Sequence, residues 1–320
     1  MKRKWIRRVS WILLTPVLLF VILMILLYIP PVQNLLRREV TAYASKATGM
    51  QIQVERIDLR FPLNLLVRGV EVIQQPDTLL SLESLNVRVQ AWPLVKGKVE
   101  VDEVTLSQVA FNSANLIEGM KIKGVLGRFF LQSHGVDLSN ELAVINQTEL
   151  SDTHVQMLMN DTTTTPKDTT ASAPVNWKVD LHKLKLKNVS FSMQLPADSM
   201  RMAAHIGEAF INDAQADLKN QFYELKQFLL SGSSANYDTG AAKPGEGFDA
   251  SHIAVRDIRI GLDSLLYKGR DMNAVIREFS MNERSGLSIT SLTGRAFSND
   301  SIIRIRGIEL QTPHSEIDLS

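Results

Sequence analysis

The side chains that most often bind metals or act in catalysis are present in this sequence, but they are scattered. No two histidines are spaced four residues apart, and none lies in a His-Glu-x-x-His sequence. A zinc site needs at least three converging ligands, and the chain has no cysteine to supply thiolates. The pattern therefore favours solvated histidines over metal ligands. These histidines are His134, His154, His182, His205, His252 and His314.

Sequences that position a nucleophile or a phosphate are also missing from the chain. It contains no Gly-x-Ser-x-Gly elbow and no Gly-x-x-x-x-Gly-Lys-[Ser/Thr] loop. Asp and Glu are spread along it without a clustered pair. Because no nucleophile and base can be brought together, we predict that the protein is not an enzyme and uses no cofactor and no metal.

Two small basic runs have alternate spacing. Lys121, Lys123 and Arg128 form one run, and Lys183, Lys185 and Lys187 form the other. Such runs can contact anionic lipid headgroups. They are also typical of a solvated strand face that discourages edge pairing, and we favour this second interpretation.

Composition narrows the class of protein further. The 320 residues include 35 Lys and Arg and 34 Asp and Glu, which gives a net charge of +1. A dedicated nucleic-acid binder would be more basic, so no nucleic-acid partner is expected. The absence of cysteine suits an oxidising compartment.

The N-terminus predicts a retained membrane anchor over residues 1–30. A basic cluster before Val9 is followed by an uncharged run to Ile29, long enough for a spanning helix. No small-residue cleavage site follows, which argues against the alternative of a cleaved signal peptide. The basic cluster predicts a cytoplasmic N-terminus and a periplasmic bulk. The anchor residues are Trp11, Leu14, Leu18, Phe20, Leu23, Leu26 and Tyr28.

A short amphipathic helix is expected next, over residues 31–49. Pro31 suits its first turn, and Gly49 suits its end. The helix could rest on the outer surface of the membrane or cap the first strand of the following sheet. Capping is the more ordinary role.

After Gly49 the apolar residues change to a strand-like period. Two stretches share the step pattern 2, 3, 2, 3, 2. A step of 2 keeps side chains on one face of a sheet, whereas a step of 3 needs a bulge or a tight turn into a new strand. Either solution predicts short twisted strands with one apolar face. We predict that this face lines a groove, and the lining residues are Val99, Val101, Val104, Leu106, Val109, Phe111, Val179, Leu181, Leu184, Leu186, Val189 and Phe191.

The organisation predicted from residue 50 onward is a repetitive, mostly antiparallel sheet. It comprises a first β region at 50–160, a disordered Thr-rich loop at 161–176 and a further repetitive region at 177–320. A flexible insertion is expected at 231–250, whereas 200–230 is ambiguous between helix and strand, with strands favoured. The pattern still runs at residue 320, so we expect the natural protein to be longer at its C-terminus.

An apolar sheet face that stays uncovered would mark a binding surface. A lipid tail is a natural ligand for it, because burying each methylene stabilises by about 0.8 kcal/mol. The alternative is that a second sheet covers this face and forms an ordinary core.

The sequence resembles the AsmA/TamB family over about residues 1–112. The resemblance lies in Thr48-Gly-Met-Gln-Ile-Gln-Val, in Gly69-Val-Glu-Val, and in the Leu-x-x-Gly-x-Val-x-Val-x-x-Val-x-Leu pattern that ends at Leu106. Members of this family are exported proteins anchored in the inner membrane.

The resemblance implies an elongated, curled sheet with an open apolar groove, a β-taco. It implies a role in outer-membrane biogenesis, with phospholipid moved from the inner to the outer membrane. The alternative it implies is a TamB-like scaffold that assists outer-membrane protein insertion or secretion with an outer-membrane barrel partner. A weaker third option is a membrane-anchored adhesin.

Overall fold

The protein is mainly β and forms one large open sheet. The computed structural model describes residues 29–61, 63–90, 93, 100–137, 140–160, 176–240 and 243–319. Strands account for 72% of it, and the sheet has 15 strands and does not close on itself. The predicted mainly β, mostly antiparallel class is confirmed.

Within the described residues, one helix, α1, precedes the sheet and spans Pro30–Thr48. Proline occupies its first turn, where a missing N–H costs nothing. Gly49 ends it at a φ of 69°, and the Gly49 N–H donates to the Ser45 carbonyl over 3.0 Å. The predicted short helix and both of its end signals are confirmed.

The strands follow one another across the sheet almost in chain order. Neighbours pair antiparallel except β6 and β7, which are parallel, and the short strand β12 pairs only with β11. A parallel pair needs a long connection, which residues 160–177 supply. The strands are β1 Gln51–Arg60, β2 Asn64–Gln74, β3 Asp77–Val89, β4 Val101–Asn112, β5 Met120–Asp137, β6 Leu142–Met159, β7 Lys178–Leu195, β8 Met200–Asp217, β9 Phe222–Asp238, β10 His252–Lys268, β11 Asp271–Glu283, β12 Ser288–Ile289, β13 Ser291–Ser298, β14 Ile303–Gln311 and β15 Glu316–Leu319.

The strands are longer than the expected short segments. β4 has 12 residues and β7 has 18, although each contains steps of 3 between apolar residues. The extra residue adopts a left-handed conformation without ending the strand, at a φ of 50° in Gln108 and 53° in Asn188. The neighbouring strand carries an unpaired residue at the same level, so the register across the pair is unchanged. At Gln108 and Asn188 neither a one-sided bulge nor a new strand is needed, whereas the step from Val101 to Val104 comes with a one-sided register shift against β3.

These unpaired positions line up across the sheet in what we call the kink row. Left-handed residues occur in it on β2, β4, β6, β7 and β9, and residues of ordinary conformation on β1, β3, β5 and β8. The kink row runs through Glu55, Gly69, Glu83, Gln108, Gly127, Asp152, Asn188, Gly207 and Gly232.

The residue types in the kink row follow from its geometry. Gly, Asn and Asp tolerate the left-handed conformation best, and they fill most of its left-handed positions. Gly127 and Gly207 are needed for space, since a Cβ on Gly207 would lie 2.5 Å from the Gly232 carbonyl oxygen. At these two positions, neighbouring strands can therefore approach this closely only because glycine has no side chain.

The structure agrees with the sequence prediction for residues 200–230 and disagrees with it for residues 231–238. The ambiguous residues 200–230 form strands β8 and β9, so the preference for strands is confirmed. The sequence predicts that residues 231–238 belong to a flexible insertion, but they complete β9. Their Gly and Ser residues are small enough to fit the kink row. The Thr-rich segment 161–175 and the predicted anchor lie outside the described residues. Among the described residues, no helix is long and apolar enough to cross a bilayer.

Candidate functional site

The apolar side chains of successive strands join into continuous rows that cross the sheet. Residues directly opposite each other on paired strands share a face, so each chain of pairings defines one row. The Leu106 row contains only apolar residues from β1 to β11. Its members are Ile57, Val67, Leu85, Leu106, Phe129, Leu150, Leu186, Ala209, Leu230, Ile260 and Phe279.

A second row, the Val104 row, lies two residues along each strand on the same face. It is apolar except at one threonine. Its members are Leu59, Leu65, Val87, Val104, Leu131, Thr148, Leu184, Ile211, Phe228, Leu262 and Ile276.

Two shorter rows continue the face beyond the kink row. The Val109 row consists of Val54, Val70, Leu82, Val109, Leu126, Thr153, Val189 and Ile206. The Phe111 row consists of Ile52, Val72, Leu80, Phe111, Gly124, Val155, Phe191 and Ala204. The extra residue in each strand restores the phase, which keeps both sides of the kink row apolar on one face.

The two stretches predicted to line a groove meet in these rows. Val104 shares a row with Leu184, Leu106 with Leu186, Val109 with Val189, and Phe111 with Phe191. Leu181 lies in a further row beside Ile145 and Ala214, and Val179 lies beside Ala143 and Ala216. Val101 pairs with Val89, and Val99 lies outside the described residues.

Few of the apolar side chains in this face are fully covered. All the described residues predicted to line a groove are only half-buried, apart from Phe191, which is 37% exposed. Apart from minor contacts, the backbone of each described element comes close only to that of its sheet neighbours, with α1 beside β1. The fully buried apolar residues of the described ranges are Leu79, Leu82, Ala143, Leu195 and Ala209.

Polar residues within the apolar face have a local structural cause. Thr153 and Ser233 directly follow left-handed residues, and both are buried. The Thr153 hydroxyl donates to the Ser151 carbonyl over 3.2 Å, and the Ser233 hydroxyl donates to the Ser231 carbonyl over 3.1 Å. Each hydroxyl thus bridges its kink and satisfies a carbonyl that lacks a ladder partner.

Sequence reasoning missed most members of the rows because it named residues from two strands only. β6 has the same 2, 3, 2, 3, 2 steps in Ala143, Ile145, Thr148, Leu150, Thr153 and Val155. Two threonines hid that pattern from a search for apolar side chains. Allowing a threonine to stand for an apolar residue within the step pattern would have found it.

The opposite face of the sheet is more polar and carries both basic runs, although Phe130, Phe210 and Leu229 also lie on it. Glu149 lies between the basic runs, 4.0 Å from the Arg128 guanidinium and 3.9 Å from the Lys185 ammonium. The Arg128 guanidinium also lies over the Phe130 ring, 5.7 Å from its centroid. These contacts fit a solvated outer face with weak ion pairs.

A further kink lies outside the kink row, at Asp213, whose carboxylate contacts charged side chains on the polar face. The His182 Nδ1 lies 3.1 Å from the Asp213 carboxylate, and the Lys226 ammonium lies 3.8 Å from it. The hydrogen bond from His182 and the two nearby cationic groups lower the pKa of Asp213, against an opposing effect of burial. Asp213 itself is left-handed at a φ of 49°.

The other histidines make local polar contacts. The His252 ring is buried and lies 2.9 Å from the Asp249 carboxylate, while the His205 Nδ1 lies 3.1 Å from the Ser190 hydroxyl. Ser190 sits between Val189 and Phe191, so this pair belongs to the polar face. No group of three or more His, Asp or Glu residues in the described ranges is placed to hold a metal ion.

Comparisons with known proteins gave no family for this chain. No protein-family model matches it, and no curated protein matches it significantly.

Proposed function

We propose that the protein is an inner-membrane-anchored periplasmic protein that transfers phospholipid between the inner and outer membranes along its apolar β face. The observation that carries the proposal is the lack of cover over this face. The Leu106 row crosses the strands from β1 to β11 with apolar side chains alone, yet only Ala209 in it is fully buried. Apolar surface of this extent usually marks a binding site.

The size of the rows suits an acyl chain. Ten strand spacings of about 4.8 Å make the Leu106 row about 48 Å long. Sheltering a sixteen-carbon tail from water stabilises it by roughly 12 kcal/mol, a barrier that an unassisted lipid would face. Because successive positions along the row are chemically similar, the lipid can move by small steps.

We further propose that the sheet curls around the lipid as a groove. Left-handed residues recur at one level of β2, β4, β6, β7 and β9, where each can bend its strand. Bends repeated along one level of the sheet would wrap the apolar face around a tail and leave the opposite face in water. The likeness of residues 1–112 to the AsmA/TamB family supports the same architecture and a role in outer-membrane biogenesis.

Charged substitutions within the rows test the proposal. The full chain in phospholipid vesicles would be labelled with a photoactivatable phospholipid, comparing V104E and L186E with the neighbouring T105E and K187E on the polar face. We expect V104E and L186E to lose most of the labelling, because a carboxylate in the row would be desolvated by a passing tail. T105E and K187E should keep it.

Unchanged labelling of V104E and L186E would overturn the proposal if circular dichroism shows that both variants are folded. Equal loss in all four variants would do the same, since it would show that folding and not the apolar face controls labelling.

A second candidate function is a scaffold that assists insertion or secretion of outer-membrane proteins with a barrel partner. The observation that favours it is the outer strand β15, whose four residues are all exposed. Such an edge can accept a strand from another protein. A photocrosslinker placed at Ile317 would capture a barrel protein if this candidate is right, whereas lipid labelling at Leu106 would favour transfer.

A further inference from the structure

α1 presents a polar side to the protein. Gln33 Nε2 donates to the Leu59 carbonyl over 3.1 Å, and Arg37 donates to the Glu55 carbonyl over 2.8 Å. The Ser45 hydroxyl accepts the Ile52 N–H over 3.1 Å. We call Gln33, Arg37 and Ser45 the polar seam. The hydrogen bonds of the polar seam dock α1 on the backbone of β1.

Several apolar side chains of α1 point away from the sheet. Leu35 is 55% exposed, Val40 52% and Tyr43 77%. At about 100° per residue, Leu35 points about 80° to one side of Tyr43, and Val40 points about 60° to the other side, within about 20° of the direction of Gln33. The three side chains extend from the second turn of the helix to its last turns over a broad arc centred on Tyr43, which we call the outer surface of α1.

We propose that the outer surface of α1 lies in the headgroup region of the membrane that the N-terminal segment crosses. This inference rests on the anchor in the proposed function. The uncharged run from Val9 ends at Ile29, directly before the first residue of α1. The helix therefore begins at the bilayer surface, and lipid is the apolar phase within its immediate reach.

One flanking cation fits this position. Lys46 is exposed about 60° from the direction of Tyr43, where it can reach anionic headgroups, and Glu39 is the acidic side chain exposed beside it. Residues spread along the helix can meet one membrane surface together only if the helix lies flat on it. α1 then contacts lipid with its outer surface and β1 with its polar seam. The β1 end of the Leu106 row is thereby held close to the bilayer that supplies the lipid.

Single cysteines test this placement cleanly, because the natural chain has none. The full chain in phosphatidylcholine–phosphatidylglycerol vesicles would carry the fluorophore NBD at V40C, Y43C or N34C. Asn34 is also exposed and lies on the same helix, away from the outer surface. With nitroxide on carbon 5 of the lipid tails, we expect quenching at V40C and Y43C to be at least threefold stronger than at N34C.

A fourth variant, L18C, separates failure of the anchor from failure of the inference. Strong quenching of L18C by nitroxide on carbon 12, with equal and weak quenching at Y43C and N34C, would overturn only the placement of α1. Absence of quenching at L18C would overturn the anchor and the placement together. A blue-shifted Y43C signal that lipid nitroxide does not quench would show that protein, such as a second copy of the chain, covers this surface, and would also overturn the proposal.

Discussion

The two outer strands of the sheet, β1 and β15, are protected very differently. Along β1, side chains of α1 bond to the carbonyls of Leu59 and Glu55 and to the N–H of Ile52. Along β15, every residue is exposed, including Ile317 at 46% and Leu319 at 60%. A free edge strand with apolar side chains invites pairing with another strand.

The difference extends inward from each edge. Near β1, Asp58, Leu79 and Leu82 are buried, whereas β14 beside β15 has Ile303 exposed at 77% and Ile305 at 55%. Within the described residues, the sheet is thus better covered at β1 than at β15.

A matched pair of glycines should give the largest contrast between the two ends. Gly69 near β1 and Gly307 near β15 share a φ of 57°, so alanine adds the same backbone strain at both, about 1 kcal/mol. A Cβ on Gly69 would lie 2.7 Å from the Glu55 Cβ, whereas a Cβ on Gly307 meets nothing within 4 Å. We expect G69A to cost about 3 kcal/mol of stability and G307A about 1 kcal/mol.

Amide hydrogen exchange of the flanking strands measures both costs locally, without assuming that the whole sheet unfolds in one step. Equal losses in G69A and G307A would show that the end near β1 is as loosely packed as the end near β15.

Weakening the docking of α1 on the edge strand β1 should have the next largest effect. R37A deletes the hydrogen bond to the Glu55 carbonyl and a longer one of 3.4 Å to the Val54 carbonyl. We expect a loss of about 1 kcal/mol in the docking of α1, seen as faster amide exchange in β1 but not in β15. R38A removes the same charge from the adjacent, exposed position and should leave exchange in β1 unchanged. Equal effects of R37A and R38A would mean that charge, not capping, protects β1.

The half of the sheet near β15 depends on a buried carboxylate whose effect is sensitive to pH. The Glu283 carboxylate accepts hydrogen bonds from the Ser285 N–H over 2.6 Å and from the Ala254 N–H over 3.3 Å. The bond from Ser285 is the main reason that the pKa of Glu283 lies below its ordinary value of 4.5. A lowered pKa in the folded state gives stability that is fully present above pH 4.5 and lost as the pH falls through the folded pKa.

The expected result is that the exchange protection of β10 and β11 falls in acid in the natural chain, and that E283Q removes this part of the pH dependence. E278Q, at an exposed position on the same strand, is the matched control. An unchanged acid profile in E283Q would place the sensitivity in other carboxylates, such as Asp249.

The fold could be predicted from the sequence where a local rule decides the outcome. Pro31 and Gly49 bounded α1 correctly, and the steps of Val104, Leu106 and Val109 predicted an apolar strand face. The length of the strands could not be predicted. A step of 3 has the same spacing whether the neighbouring strand also carries an unpaired residue at that level, which lets the pairing continue, or carries none, which would require a bulge or a turn. The aligned kinks depend on pairing between distant segments, for example Asp152 beside Asn188, whose amide donates over 2.7 Å. The anchor, the groove and the transport of lipid remain predictions.

The smallest effect on stability is expected at the β15 edge. I317K places a charge on a strand that only β14 supports, so the free energy of unfolding should change by no more than about 0.5 kcal/mol. Its effect on association should be much larger, since a lysine on an exposed edge opposes the approach of a second strand. We expect the natural chain in detergent to associate in a concentration-dependent way, and I317K to weaken that association at least tenfold in analytical ultracentrifugation.

Q215K adds the same charge on the polar face of the interior strand β8 and should leave association unchanged. If Q215K weakens association as strongly as I317K, then net charge controls it and the edge does not. If I317K has no effect while R37A promotes association, then new strands add at the β1 side once its cap is weakened. The docked helix, and not the exposure of β15, would then decide where a second strand can add.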